Sequence, residues 1–164
     1  MPIAVAGGTV DLMPFQIVLS VSITPKGISP TRDTPRFPAV VDNGCNLTFL
    51  LQERHLNAWA RLQRAKLKKV GERHPYGKQS PVHAANVWLH PNTPGTRNDA
   101  ANARPFCIHL DPGIVVCSDD VRQPRLPLLG LPALSFGQLQ LLFHWGRQKS
   151  VTLRTTPWWF WLLG

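Results

Sequence analysis

Residues that could perform acid-base chemistry are scarce in this chain, which has 9 Asp and Glu against 18 Lys and Arg. Five aspartates lie in loops rich in Pro, Gly, Asn or Ser, where Asp commonly caps turns: Asp33, Asp99, Asp111, Asp119 and Asp120. Asp42 differs, because it directly follows the apolar residues 39–41. A carboxylate at the end of a buried strand is costly unless something there uses it. Asp42 is therefore the carboxylate whose position most needs a functional explanation.

The tripeptide Asp42-Asn43-Gly44 has two interpretations. Taken alone it indicates a tight hairpin turn, since Asp-Gly and Asn-Gly are strong turn dipeptides. Together with its surroundings it resembles the signature of the retropepsin-like aspartic proteases. That signature has two or three apolar residues, then Asp-Thr/Ser-Gly, then a small residue and a Thr shortly after. Cys45 and Thr48 occupy the last two places, so residues 42–48 form the candidate active-site loop.

A second segment carries the same resemblance. Leu128, Leu129 and Gly130 are similar to the apolar-apolar-Gly segment that precedes a C-terminal helix or turn in this family. The resemblance covers residues 13–156, which we interpret as the protease domain. Residues 1–12 are then an N-terminal extension and residues 157–164 an apolar, Trp-rich tail.

The resemblance implies an all-β fold, a closed β-barrel with one or two short helices, that acts as a homodimer. It also implies an aspartic endopeptidase without a metal or other cofactor, acting on a peptide or protein substrate. Peptide hydrolysis needs a general base to activate water and a general acid to protonate the leaving nitrogen. One Asp42 from each protomer would supply both, because two carboxylates held about 3 Å apart share a proton.

Two positions depart from the family pattern. Asn43 replaces the Thr or Ser whose hydroxyl bonds across the dimer, and Leu131 stands where viral members place an Arg. An amide can donate and accept hydrogen bonds, but it is longer than a hydroxyl. The alternative function is therefore a catalytically weak or inactive protein that keeps the fold for peptide binding or dimerisation.

The elements that must position these residues follow from the apolar pattern. Apolar and polar residues alternate over residues 15–23, which predicts a strand. The apolar runs on both sides of the Asp42 turn predict two more strands. Helical spacing over residues 51–62 predicts one helix. A β-ribbon interrupted at residues 74–77 is expected over residues 67–87, where we place the substrate-covering flap. Further strands are expected at residues 84–89, 106–110, 114–117, 126–130, 139–143 and 151–153, with residues 91–105 as a structureless insertion.

Two apolar runs that end in glycine, residues 39–44 and 127–130, suggest twofold-related halves. The chain of 164 residues with 43% hydrophobic residues is long enough for one domain with a real core.

The N-terminus lacks a basic patch ahead of an apolar stretch, which favours a cytoplasmic location. Three widely spaced cysteines argue against a disulfide framework, and no zinc-ligand spacing occurs.

The formal net charge of +9 would suit a protein that binds nucleic acid. Basic residues cluster in one stretch: Arg54, Arg61, Arg64, Lys66, Lys68, Lys69 and Arg73. No recognition-helix or strand-borne aromatic pattern accompanies them, so we interpret them as a solvated face and expect no nucleic-acid partner.

The seven apolar residues 157–163 are too few to span a bilayer. They could cover a dimer surface, extend past the domain and pack loosely on it or, as the weaker alternative to a dimer contact, touch a membrane interface.

Overall fold

The computed structural model describes residues 2–5, 8–11, 16–90, 105–119, 125–144 and 150–155. The chain is mostly β-sheet with few helices, in agreement with the β-rich fold expected. The strands are β1 (Pro2–Val5), β2 (Gly8–Asp11), β3 (Ile17–Pro25), β4 (Phe37–Asp42), β5 (Phe49–Gln52), β6 (Lys69–Arg73), β7 (Ser80–His83), β8 (Ala85–His90), β9 (Phe106–Ile108), β10 (Ile114–Cys117), β11 (Leu128–Gly130), β12 (Leu139–His144) and β13 (Ser150–Thr155). The helical elements are a π-helical segment (His55–Trp59), two 3-10 turns (Arg64–Lys66 and Pro75–Gly77) and α1 (Leu131–Phe136).

Nine strands form one sheet in the order β6-β7-β10-β5-β11-β4-β3-β8-β9. Within the described ranges this sheet is open, with β6 and β9 at its edges, so the closed barrel expected from the sequence is not observed there. The hairpins β1–β2 and β12–β13 form separate two-stranded sheets. The first of these hairpins lies in the expected N-terminal extension.

The centre of the sheet is symmetric in its topology. β10 pairs parallel with β5, β4 pairs parallel with β11, and β5 and β11 pair antiparallel. Each half thus runs from an outer strand to an inner strand and on to a short helix: β4 to β5 to the π-helical segment, and β10 to β11 to α1. The twofold relation expected from the sequence therefore links residues 39–42 with 114–117. It does not link residues 39–44 with 127–130, which lie side by side.

The predicted helix over residues 51–62 is shorter than expected. β5 continues to Gln52, and the π-helical segment covers only His55–Trp59, with the Ala60 N–H donating to the His55 carbonyl at 3.1 Å. Arg61 then adopts a positive φ of 54°, which ends the helical path. The apolar residues of this segment have helical spacing because Leu51 faces the core from a strand, while Leu56 and Trp59 face it from the helical segment.

The other expected strands are present with small shifts in their bounds. β9 and β10 flank the turn at residues 111–113 but do not pair with each other. β9 pairs with β8, and β10 lies between β7 and β5. The helix α1 was not evident in the apolar pattern. Residues 91–104 and the tail 157–164 lie outside the described residues.

Both faces of the central strands are buried, which explains their continuous apolar runs. Phe49 and Leu51 of β5 face the main core, whereas Leu50 faces a smaller cluster on the other side. β10 divides in the same way, with Val115 and Cys117 in the smaller cluster. The central strands are thus held rigidly at the end where the candidate loop begins. No helix in the described ranges is both long and apolar enough to cross a membrane.

Candidate active-site loop

Asp42 is the last residue of β4, and its side chain closes a short turn. Its Oδ1 accepts a hydrogen bond from the Gly44 N–H at 2.9 Å, and its carbonyl accepts one from the Cys45 N–H at 3.2 Å. An Asp that bonds to the backbone two residues later forms a typical Asx turn. Asp42 is half-buried, while Asn43 and Gly44 are exposed. The turn therefore presents the carboxylate at the surface in a defined orientation.

The alternative of a tight hairpin at this turn is wrong. β4 and β5 do not pair, because β11 lies between them. The register places Leu128 opposite Val40, and Gly130 opposite Asp42. The two segments that the sequence singled out, residues 42–48 and 128–130, are therefore adjacent in space. Pairing of β11 with the strands before and after the loop confines the loop to the end of the sheet.

The backbone of the loop packs directly against Gly130. A Cβ at this position would lie 2.0 Å from the Leu47 carbonyl oxygen and 2.5 Å from that of Cys45, far inside van der Waals contact. The Gly130 N–H donates to the Thr48 carbonyl at 3.1 Å. Only glycine permits this approach of two backbones. Leu128 and Leu129 support it, since Leu129 is fully buried in the main core and Leu128 packs against both clusters.

Thr48 anchors the far end of the loop. It is buried, and its Oγ1 donates to the Gly113 carbonyl at 2.8 Å, immediately before β10. Gly113 has a φ of 151°, and a Cβ there would meet the His83 carbonyl oxygen at 2.2 Å. Thr48 thus ties the loop to the residue that precedes β10.

Gly44 has a different requirement. A Cβ at Gly44 would make only an ordinary contact of 3.4 Å with Asp42 Oδ1, and its φ lies outside the left-handed region. Neither space nor backbone conformation within one chain demands glycine here. A group that approaches the loop from outside, such as a substrate or a second protomer, would explain it.

Cys45 is not set up as a nucleophile. Burial raises the pKa of its thiol, a backbone hydrogen bond with Leu47 opposes this, and the nearby Asp42 charge raises the pKa further. The thiolate is the reactive form of cysteine, so a thiol kept protonated is a poor nucleophile.

Tyr76 was not identified from the sequence, although the turn that carries it was. It lies at the tip of the β6–β7 hairpin with a φ of 53° and a side chain 56% exposed. Burial raises the pKa of its phenol, and the acidic groups of Cys45, Asp42 and Cys117 raise it further.

Among the residues that the structure describes, no group of three or more His, Cys, Asp or Glu side chains is arranged to hold a metal ion. Comparison with protein-family models, with curated proteins and with solved structures finds no match for this chain.

Proposed function

We propose that this protein is an aspartic-type endopeptidase with a retropepsin-like fold, acting as a homodimer in which each protomer contributes Asp42. The observation that carries the proposal is the parallel register of β4 and β11, with Gly130 opposite Asp42. The two segments that resemble the family signatures are distant in sequence, yet they are neighbours at one end of the sheet. Adjacent placement of both segments is what the proposed function requires.

The hydrogen bonding of Asp42 suits this chemistry. Oδ1 is engaged by the Gly44 N–H, and Oδ2 has no hydrogen-bond partner among the described residues. In the dimer, a water between the two carboxylates loses a proton to the ionised one as its oxygen attacks the peptide carbonyl. The protonated carboxyl then delivers a proton to the leaving nitrogen as the C–N bond breaks. Exposed Asn43 and Gly44 leave room for the second loop.

The β6–β7 hairpin fits the role of the flap. Its tip carries Tyr76, whose phenol is in electrostatic reach of Asp42. A hairpin that closes over a bound peptide would exclude water from the carboxylates. β6 is an edge strand with a register irregularity between Lys69 and Gly71, which suits an element that moves.

Replacement of Asp42 by Asn tests the proposal. We expect the wild-type chain to cleave peptides best at mildly acidic pH and to be unaffected by chelators. The Asp42→Asn variant should lose this cleavage by about a hundredfold or more, since it cannot act as a base or acid. Cleavage of an unbiased peptide mixture, followed by mass spectrometry, measures this. The matched control is Asp33→Asn in the exposed β3–β4 loop, which should leave cleavage unchanged. Equal activity in the Asp42 variant would refute the assignment.

A catalytically weak or inactive protein that binds peptides or dimerises is the second candidate, and Asn43 favours it. This exposed residue stands where the family hydroxyl would bond across the dimer. A misplacement of catalytic groups by about 1 Å can cost about a hundredfold in rate.

The substitution Asn43→Thr distinguishes the two candidates. If the amide only approximates the hydroxyl, the variant should dimerise more tightly and cleave faster. If Asn43 forms its own amide pair across the dimer, both dimer affinity and cleavage should fall. Unchanged dimerisation with no cleavage in either protein would support the non-catalytic candidate. Dimer dissociation and peptide cleavage are measured on both proteins.

A further inference from the structure

A polar cleft of about 530 Å³ lies away from the Asp42 loop, between the segment that follows β5 and the end of β7. Its polar lining comes from Glu53, Asn57, Gln63, Arg64 and His83. Its volume falls within the range of small-ligand pockets, about 300–1,000 Å³. The proposed peptidase chemistry uses none of these residues.

His83 is the buried member of the cleft. Its side chain is 5% exposed, and its Nδ1 lies 3.2 Å from the Leu67 carbonyl, to which it must donate. In a neutral ring the other nitrogen is then an acceptor. His83 Nε2 is buried and has no partner within the described part of the chain. An unpaired buried acceptor is costly, so a ligand that donates a hydrogen bond would satisfy it.

The surroundings of the cleft are strongly basic. Between residues 53 and 78 the only acidic residues are Glu53 and Glu72, and each is in an ion pair: Arg64 Nη1 lies 3.2 Å from Glu53 Oε2, and Lys69 bonds to Glu72. Several further basic side chains of this segment are exposed: Arg54, Arg61, Lys66, Lys68 and Arg73. A surface with this excess of positive charge attracts anionic partners.

We propose that this cleft is an exosite that binds an acidic peptide segment. Glu53 and His83 Nε2 accept hydrogen bonds from peptide N–H groups, and Arg64 with its basic neighbours binds the carboxylates. A peptide fits better than a single-stranded nucleic acid, because no Phe, Tyr or Trp is among the cleft residues to stack on bases. The assignment to substrate recognition rests on the proposed peptidase function, whereas peptide binding itself does not.

Strand register predicts where the acidic segment lies in a substrate. His83, Ile114, Phe49, Leu129 and Val41 are paired in one row across β7, β10, β5, β11 and β4. Four interstrand steps of about 4.8 Å separate His83 from the strand that ends in Asp42, or about 19 Å. An extended peptide covers this distance in about six residues. Acidic residues should therefore promote cleavage when they lie about six or more residues from the scissile bond.

Peptide binding is tested with the full chain carrying Asp42→Asn, so that no cleavage intervenes. A fluorescein-labelled peptide of alternating Glu and Ala is titrated by fluorescence anisotropy, beside the same peptide with Gln in place of Glu and a labelled oligouridylate. We expect the Glu peptide to bind most tightly. Adding Arg64→Gln or Asn57→Asp should weaken binding by up to about fivefold, the effect of losing one surface charge pair of about 1 kcal/mol. Adding Arg32→Gln, in the exposed β3–β4 loop, should leave binding unchanged.

Four results would overturn the inference: no binding of the Glu peptide, equal binding of the Gln peptide, equal losses in the Arg32 variant, or displacement of the peptide by a more tightly bound oligouridylate. Thermal melting of each variant confirms that the fold is retained. The outcome is separate from that of the catalytic test. If the wild-type chain cleaves nothing but the exosite variants lose peptide binding, the peptidase function fails and the peptide site stands.

Discussion

Gly130 shows how one backbone position controls the candidate site. The residue has no side chain to contribute, yet the carbonyls of Cys45 and Leu47 lie where its Cβ would be. We predict that Gly130→Ala lowers the free energy of unfolding by about 1–3 kcal/mol, the usual cost of overpacking. Any peptide cleavage should fall more steeply than stability, because the loop that carries Asp42 must move away. Urea denaturation and peptide cleavage measure the two effects.

Gly71→Ala is the matched control for this prediction. A Cβ at Gly71 in β6 would have no heavy atom within 4 Å, so this variant should be as stable as the wild type. If the two alanine variants are equally stable, the close packing of the loop on Gly130 is not present in solution.

The π-helical segment after β5 makes stability depend on pH. His55 is buried, stacks on Trp59 with ring centroids 4.3 Å apart, and accepts a hydrogen bond at Nδ1 from the Gln52 N–H at 3.3 Å. Burial lowers its pKa from 6.5 to about 4, and the Arg54 charge acts in the same direction. The folded state thus holds a neutral imidazole where the unfolded state binds a proton. As pH falls from 6.5 toward 4, this group should lower stability by about 1 kcal/mol per pH unit.

His55→Leu should flatten the fall in stability over this pH range, whatever its effect at neutral pH. Part of the fall should persist, because burial also lowers the pKa of His90 to about 4. Urea midpoints at several pH values measure the slope, with His74→Leu as the exposed control. Parallel curves for wild type and the His55 variant would contradict the assignment of this slope to His55.

The proposed peptidase requires two copies of the chain, since each copy offers one candidate catalytic carboxylate. α1, which directly follows Gly130, exposes Leu131 and Phe136, 48% and 55% of each side chain. Apolar residues exposed next to a functional loop are suited to an isologous contact between two copies. We predict that the protein sediments as a dimer at micromolar concentration.

Phe136→Gln should weaken this dimer by about fivefold or more, the effect of losing one interface anchor of about 1 kcal/mol. Ile28→Gln replaces an equally exposed apolar residue in the β3–β4 loop and should leave the dimer intact. A wild-type chain that sediments as a monomer would leave Asp42 without its second carboxylate.

Local sequence patterns predicted most of the strands, because the burial of each strand determines which of its own residues are apolar. Alternation identified β3, and continuous apolar runs identified the two-sided strands β4, β5 and β10. Asp42 stood out for the same local reason, as a carboxylate at the end of an apolar run. The same reasoning failed for residues 51–62, where a strand end and a helical segment together imitated one helix.

Pairing was decided only by the tertiary structure. The turn at Asp42 suggested a hairpin, yet the two strands that flank it do not pair with each other. The strands that flank the turn at residues 111–113 do not pair with each other either. Two strands that are consecutive in the chain do not pair when a strand from a distant part of the sequence lies between them in the sheet. No local sequence pattern predicts which distant strand that is. The sequence by itself determined the β-rich composition, the position of Asp42 and the basic segment. Only the fold brought Gly130 against the loop and His83 into the polar cleft, because those contacts join residues far apart along the chain.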